Sequence, residues 1–319
     1  MPECRPMSAE QARHIGEVHE LWSEQAKLLM EARSFLGGLQ WKTIGGHEYL
    51  YRYQPDPITR KKRSTSIGRR SPKTERFYAE FMTRRARVNS LLADRGAMAE
   101  TLARVSKALR LARLPEAAAD VLTALWKDGL TDFFIVHSGH AAFAYETTFR
   151  SLLPVPDGGR IELLFSDDSL ARELSRSLAQ CLLKLDASYE FDASASVFHS
   201  ERGPEISINM QSVLLDHEAD GTDIDDRQRS LLTDLLELPA VSGMAISRSG
   251  RPVPMTAPDP RAFAFSRLLN ESPEDALGLA VASATRDHPE FEFGERFLDA
   301  LPGLADAVLG GAGGLGPRL

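Results

Sequence analysis

Eight cations crowd into one short stretch of this chain: Lys42, Arg52, Arg60, Lys61, Lys62, Arg63, Arg69 and Arg70. Tyr49, Tyr51 and Tyr53 sit among them at alternate positions. Cations contact phosphates and aromatic rings stack on bases, so the combination is suited to holding nucleic acid. The competing reading is an arm whose charge is neutralised by an acidic body, within the chain or in a dimer formed through helices. Further on, His137 and His140 flank Ser138 and Gly139. Imidazoles there could contact a nucleotide or exchange protons near neutral pH; the plainer reading is two hydrogen-bonded histidines at a strand end. Asp223-Ile224-Asp225 has the letters of a paired-carboxylate strand, but it lies in a polar, glycine-containing stretch, where no strand alternation can aim the two acids together. The same stretch starts like a calcium loop and ends on Arg227 where a bidentate Glu belongs. Cys4 and Cys181 are too few for a disulfide framework or a zinc site. No Walker loop, Gly-x-Ser-x-Gly elbow or His-Glu-x-x-His helix occurs.

The elements that must position these residues follow from pattern. With 319 residues, 43% hydrophobic and 26% charged, the chain is long enough for one large or two ordinary domains with real cores. Residues 41–113 hold 18 basic against 6 acidic side chains, and the rest hold 20 against 39; one segment is built to meet polyanions and the remainder is not. The start lacks the apolar run of a secretory signal and no stretch is long enough to span a bilayer, so we read the chain as cytoplasmic, with no membrane partner.

Apolar positions at helical spacing (Ile15, Val18, Leu21, Trp22, Leu28, Leu29) predict an amphipathic helix over 8–35, ended by Gly37 and Gly38. Alternation predicts a strand over 47–53 with its tyrosines on one face and a return strand over 64–68, a β-hairpin with a cationic tip. Pro72 just inside a helix start opens a long helical stretch. Its seam is Leu91, Met98, Leu102, Val105 and Leu109, with an interruption expected at Asp94-Arg95-Gly96. Past Pro115, short apolar runs alternate with helical ones, the pattern of an α/β (α+β) domain. Strands are expected over 133–136, 161–165, 196–199 and 205–209, helices over 141–152, 170–185 and 228–238, and a hairpin over 240–246 and 252–256. Helices fill 259–309, and the glycine-rich 310–319 is a flexible tail.

The run Trp41-Lys42-Thr43-Ile44-Gly45-Gly46-His47-Glu48-Tyr49-Leu50-Tyr51-Arg52, continued by residues 66–75, resembles a bacterial family described as nucleotidyltransferase-fold proteins. The similarity resumes at Ala142-Phe143-Ala144-Tyr145-Glu146, at Gly250-Arg251-Pro252-Val253-Pro254-Met255 and at residues 257–264. Together with the patterning, which gives a basic helical arm with a β-hairpin over 1–115 and a helical C-terminal part over 259–309, it implies a nucleotidyltransferase-like mixed sheet with helices over 116–258. It also implies a nucleoside triphosphate and magnesium, and transfer of a nucleotidyl group to an acceptor. Magnesium wants hard carboxylate oxygens, which an Asp-x-Asp strand and a third acid on its neighbour would supply.

Against that pattern the chain has Ser138-Gly139-His140 at the phosphate turn, Arg160-Ile161-Glu162 in place of the acidic strand, and Ser207 at the neighbouring acid. Glu162 is the remaining in-register carboxylate and hence the implied metal ligand and catalytic acid. Glu205, on the strand face of Ser207, is the candidate substitute, and Asp167 and Asp168 are a second source of acid. A guanidinium about 4 Å from an ion is repelled by roughly 4 kcal/mol per unit charge at an effective dielectric of about 20, so Arg160 opposes magnesium. Two functions are therefore expected as alternatives: nucleotidyl transfer, or a non-catalytic relative that binds nucleic acid or a partner through the basic arm.

Overall fold

The computed structural model describes residues 4–55, 62–155, 159–166, 168–209, 226–270, 275–301 and 304–309. Arg60, Lys61, Asp167, the acidic loop over 210–225 and the tail over 310–319 lie outside the described residues.

The chain opens with β1 (Arg5–Pro6) and α1 (Ala9–Arg33). Ser8 caps α1: its hydroxyl oxygen accepts from the Gln11 N–H, and its own N–H donates to the Gln11 side chain. That reciprocal pair satisfies donors the first turn leaves open. Three antiparallel strands follow in the order β2 (Leu39–Ile44), β3 (His47–Pro55), β4 (Lys62–Arg69). The sequence reading contains the β3–β4 hairpin and misses β2. Its signal was present: Gly45 and Gly46, at φ 57° and 77°, make the two-residue turn that a tight hairpin demands.

Ser71 caps the 37-residue helix α2 (Pro72–Ala108), which packs beside α1. It runs unbroken through the expected interruption. Gly96 costs about 1 kcal/mol in a helix interior, but contacts to α1 on both sides hold the helix: Arg95 pairs with Glu24, Arg84 with Glu31, and His14 Nε2 lies 2.8 Å from Ser106 Oγ.

The rest of the chain is mixed α/β. In order come α3 (Glu116–Asp128), β5 (Phe134–Val136), α4 (Ala142–Phe149), β6 (Ser151–Leu152), β7 (Ile161–Phe165) and α5 (Ala171–Leu185). They are followed by β8 (Glu190–Asp192), β9 (Val197–His199), β10 (Ile206–Asn209), α6 (Asp226–Leu236), β11 (Val241–Ile246), β12 (Pro252–Ala257), α7 (Pro260–Asn270) and α8 (Ala276–Ala284), with short helices beyond. The central sheet has the order β5-β7-β10-β9-β8; β7 and β10 are parallel and the other pairs antiparallel. One face carries Phe134, Val136, Ile161, Leu163, Phe165, Ile206 and Ile208, all buried in a core that includes Val121 and Leu125 of α3 and Leu174 and Leu178 of α5. Each such side chain contributes about 1.5–3 kcal/mol by burial.

The arm docks on the β11–β12 hairpin, where Ile15, Val18 and Leu111 join Met244 and Ile246 in one cluster. Gly250, at φ 89°, lies so close to α2 that a Cβ there would stand 2.1 Å from the Ala103 carbonyl oxygen. This contact sets which side of α2 is buried: Ala103 and Ser106 face inward, while Met98 and Val105 of the expected seam are exposed. No described helix is long and apolar enough to cross a membrane.

Candidate functional site

The second face of the central sheet carries a polar row three strands wide. The His137 N–H, just past β5, donates to the Glu162 carbonyl at 2.9 Å, and Ser207 of β10 is paired in register with Glu162 on its other side. Side chains alternate along a strand, so His137, Glu162 and Ser207 share a face opposite the apolar one. His137 and Ser207 are 7% and 4% exposed, whereas the Glu162 side chain is 39% exposed. His137 Nδ1 lies 3.9 Å from a Glu162 carboxylate oxygen. His137 Nε2 and Ser207 Oγ are both buried with no hydrogen-bond partner. A buried polar atom left unpaired costs about 1–3 kcal/mol, so two of them in one row mark a place that a ligand's polar groups would fit.

Cationic side chains flank the row, and Glu205 and Asp275 pair with two of them. The His137 imidazole is the main influence holding the Glu162 carboxyl below its ordinary range; burial opposes it, and Arg160 and Arg267 reinforce it. Arg160, just before β7, acts electrostatically on Glu162 and reaches Glu205 at 3.5 Å. Arg267, on α7, grips Asp275 through two hydrogen bonds of 2.9 and 3.0 Å. The adjoining turn is held from inside: Ser138 Oγ and His140 Nδ1 are 2.9 Å apart and both residues are buried. Burial pushes the His140 pKa down, so the ring is neutral at neutral pH; Glu162 opposes this shift. The Ser138 hydroxyl makes no cap bond to the turn Gly139–Ala141 that leads into α4. One residue pair further along the strands, Ile135, Leu164 and Ser166 floor a cleft of about 380 Å³, walled by α6, Pro258, Asp259 and Ala262.

Among the described residues, the donor set does not fit magnesium. Of the residues implied for it, Glu162 stands beside an imidazole, and Glu205 is engaged by Arg160 rather than turned to a shared ion. Asp168 begins a helical turn, Asp168–Leu170, after β7. No group of three or more His, Cys, Asp or Glu side chains among the described residues could hold a metal ion. Cys4 and Cys181 form no disulfide.

The arm divides the remaining candidates between two faces. Register puts Lys42, Tyr49, Tyr51, Tyr53, Lys62 and Arg69 on one face of the β2–β3–β4 sheet, and Leu39, Trp41, Leu50, Arg52, Gln54 and Arg63 on the other. The second face lies on α2, where Trp41 meets Tyr78 with centroids 6.0 Å apart and the Arg52 guanidinium sits 5.7 Å from the centre of the Phe81 ring. Arg52 also donates to the Ser34 carbonyl at 2.7 Å. Arg70 leaves the sheet, stacks over Trp41 and pairs with Glu48 at 2.6 Å and Glu75 at 2.7 Å. Both arginines serve the arm's own packing.

Comparison with family models, with curated proteins and with solved structures gives no match for this chain. The site residues that sequence reasoning missed are Arg267, Asp275 and Phe263, whose ring lies 6.0 Å from that of His137. They belong to the C-terminal helices, and only the long-range packing of α7 over the sheet brings them to the row; no local pattern announces that.

Proposed function

We propose that this chain is a nucleotidyltransferase-fold protein that binds a nucleotide and has given up metal-dependent transfer. Three features support the fold half of the reading: the element order from α3 through β5, α4, β7 and α5 to β10, the mixed three-strand centre, and the residue resemblance at Ala142 to Glu146 in α4. The observation that carries the binding half is the row His137–Glu162–Ser207 with its two unpaired buried atoms.

In this reading the turn Ser138-Gly139-His140 receives phosphate oxygens on backbone N–H groups at the start of α4, where the helix dipole favours an anion. Arg160 supplies the positive charge, His137 and Ser207 hydrogen-bond the sugar or phosphate, and the 380 Å³ cleft, within the range of small-ligand pockets, takes the base. Calorimetric titration of the four ribonucleoside triphosphates in EDTA tests it. Binding is expected for at least one of them, with Gly139→Val abolishing it by filling the turn. Absence of binding at millimolar nucleotide ends the reading.

A further inference from the structure

We propose that the outer face of the β2–β3–β4 sheet is a binding surface for single-stranded nucleic acid, a site distinct from the row on the central sheet. One face of this sheet packs on α2 through Trp41 and Arg52, and on the other Lys42, Lys62 and Arg69 are exposed beside half-buried tyrosines. That outer face carries Tyr49, Tyr51 and Tyr53 along its central strand. Lys42 flanks them on one edge strand, and Lys62, Ser64, Ser66 and Arg69 on the other. Tyrosines at alternate positions are about 6.8 Å apart along a strand, a spacing that suits one base per exposed ring face; the three rings are half-buried, and the Tyr53 hydroxyl is the buried end of the row.

The cations are placed beside the rings rather than on a separate patch. The Lys42 ammonium lies 5.2 Å from the centre of the Tyr51 ring and 5.3 Å from that of Tyr53. It is exposed, as are Lys62 and Arg69. Arg69 is oriented by a 2.9 Å hydrogen bond to His47 Nδ1. Serine hydroxyls between Lys62 and Arg69 add short hydrogen-bonding groups. Charge complementarity favours a polyanion, since residues 41–113 carry 18 basic against 6 acidic side chains while the rest of the chain is acidic. The tyrosine row then selects among polyanions: a duplex hides its base faces, and an acidic peptide offers charge without a run of planar groups. A single strand presents both.

Fluorescence anisotropy of the full chain with labelled oligo-dT and oligo-U of about 15 nucleotides, and with a duplex of equal length, tests this. Tighter binding of the single strands is expected, falling steeply from about 50 to about 200 mM salt. Lys42→Glu combined with Lys62→Glu, both on exposed positions, is expected to weaken binding at least about tenfold. Tyr51→Leu is expected to weaken it by about fivefold or more while Tyr51→Phe retains it, because a ring is needed and a hydroxyl is not. Thermal melting of each variant separates loss of the surface from loss of the fold. Gly139→Val leaves this binding intact and so distinguishes it from nucleotide binding at the turn. The proposal is overturned by the absence of binding at about 50 mM salt, or by equal duplex binding that Tyr51→Leu leaves unchanged.

Discussion

In the α/β body, Tyr145, Phe134, Phe263, Phe265, Ile161 and Leu163 are fully buried in a single cluster that reaches from Leu114 to Val308. In the sheet region of the arm, the cluster that the described residues form is Phe35, Phe81 and Val88, with Ala32, Leu39 and Leu92 half-buried against it. The body therefore has apolar burial enough to hold an unfavourable polar row rigidly in place. The arm draws much of its order from where it docks, on the β11–β12 hairpin. Chemistry divides accordingly: the body buries its polar groups and the arm displays them.

Three changes would break or sharpen that contrast. The largest effect is expected from Gly250→Val, which puts a branched side chain against the Ala103 backbone at a left-handed φ. A loss of more than about 3 kcal/mol should follow, and hydrogen exchange should show α2 losing protection while β7 and β10 keep theirs. Uniform loss across both would mean that arm and body unfold as one unit.

Next comes the buried pair at the junction. Arg113 bonds the Glu146 carboxylate and donates to the Leu153 carbonyl at 2.9 Å. Arg113→Ala leaves Glu146 buried without its cation and should cost on the order of 3 kcal/mol. Burial raises the Glu146 pKa from 4.5 to about 7, with Arg113 opposing the shift. Between those values the folded state keeps a proton that the unfolded state has released. The group's contribution is therefore greatest below about pH 4.5 and is lost as pH rises towards 7. Burial lowers the pKa of His14 and of His140, which act in the opposite sense as pH falls below 6.5. The measurement is thus the difference between the parent chain and Glu146→Gln: denaturant midpoints should diverge between pH 4.5 and 7, and parallel curves would contradict the buried carboxyl.

The smallest effect is expected from Ser207→Ala. Its hydroxyl is buried without a partner, so the alanine chain should be as stable as the parent or up to about 1 kcal/mol more stable, while nucleotide binding weakens. A clear destabilisation would mean that the hydroxyl serves the fold.

Much of this was legible from residue order. The strand over 161–165 and the helices that flank it follow from apolar runs whose length and spacing admit few alternatives, and the Ser71-Pro72 start and the Ser249-Gly250 hairpin are local turn chemistry. The strand β2 was missed because its register depends on Gly45 and Gly46 more than on its own alternation. Continuity of α2 through Gly96 was illegible for a different reason: it is bought by Glu24 and Glu31, more than fifty residues away. The same holds for the site. Glu162 could be placed from its strand, but the Arg160–Glu205 pairing and the arrival of Arg267 are products of tertiary packing.

The central claim is that the row on the body's sheet takes a nucleotide with protein cations where a transferase would use metal. The direct measurement is the dissociation constant of the preferred nucleoside triphosphate in EDTA and again in saturating magnesium. The account predicts nearly equal values, with magnesium dependence appearing only when Arg160→Asp puts a second carboxylate on the strand of Glu162. A parent chain that binds at least about tenfold more tightly with magnesium, a gain of about 1.4 kcal/mol, would contradict it.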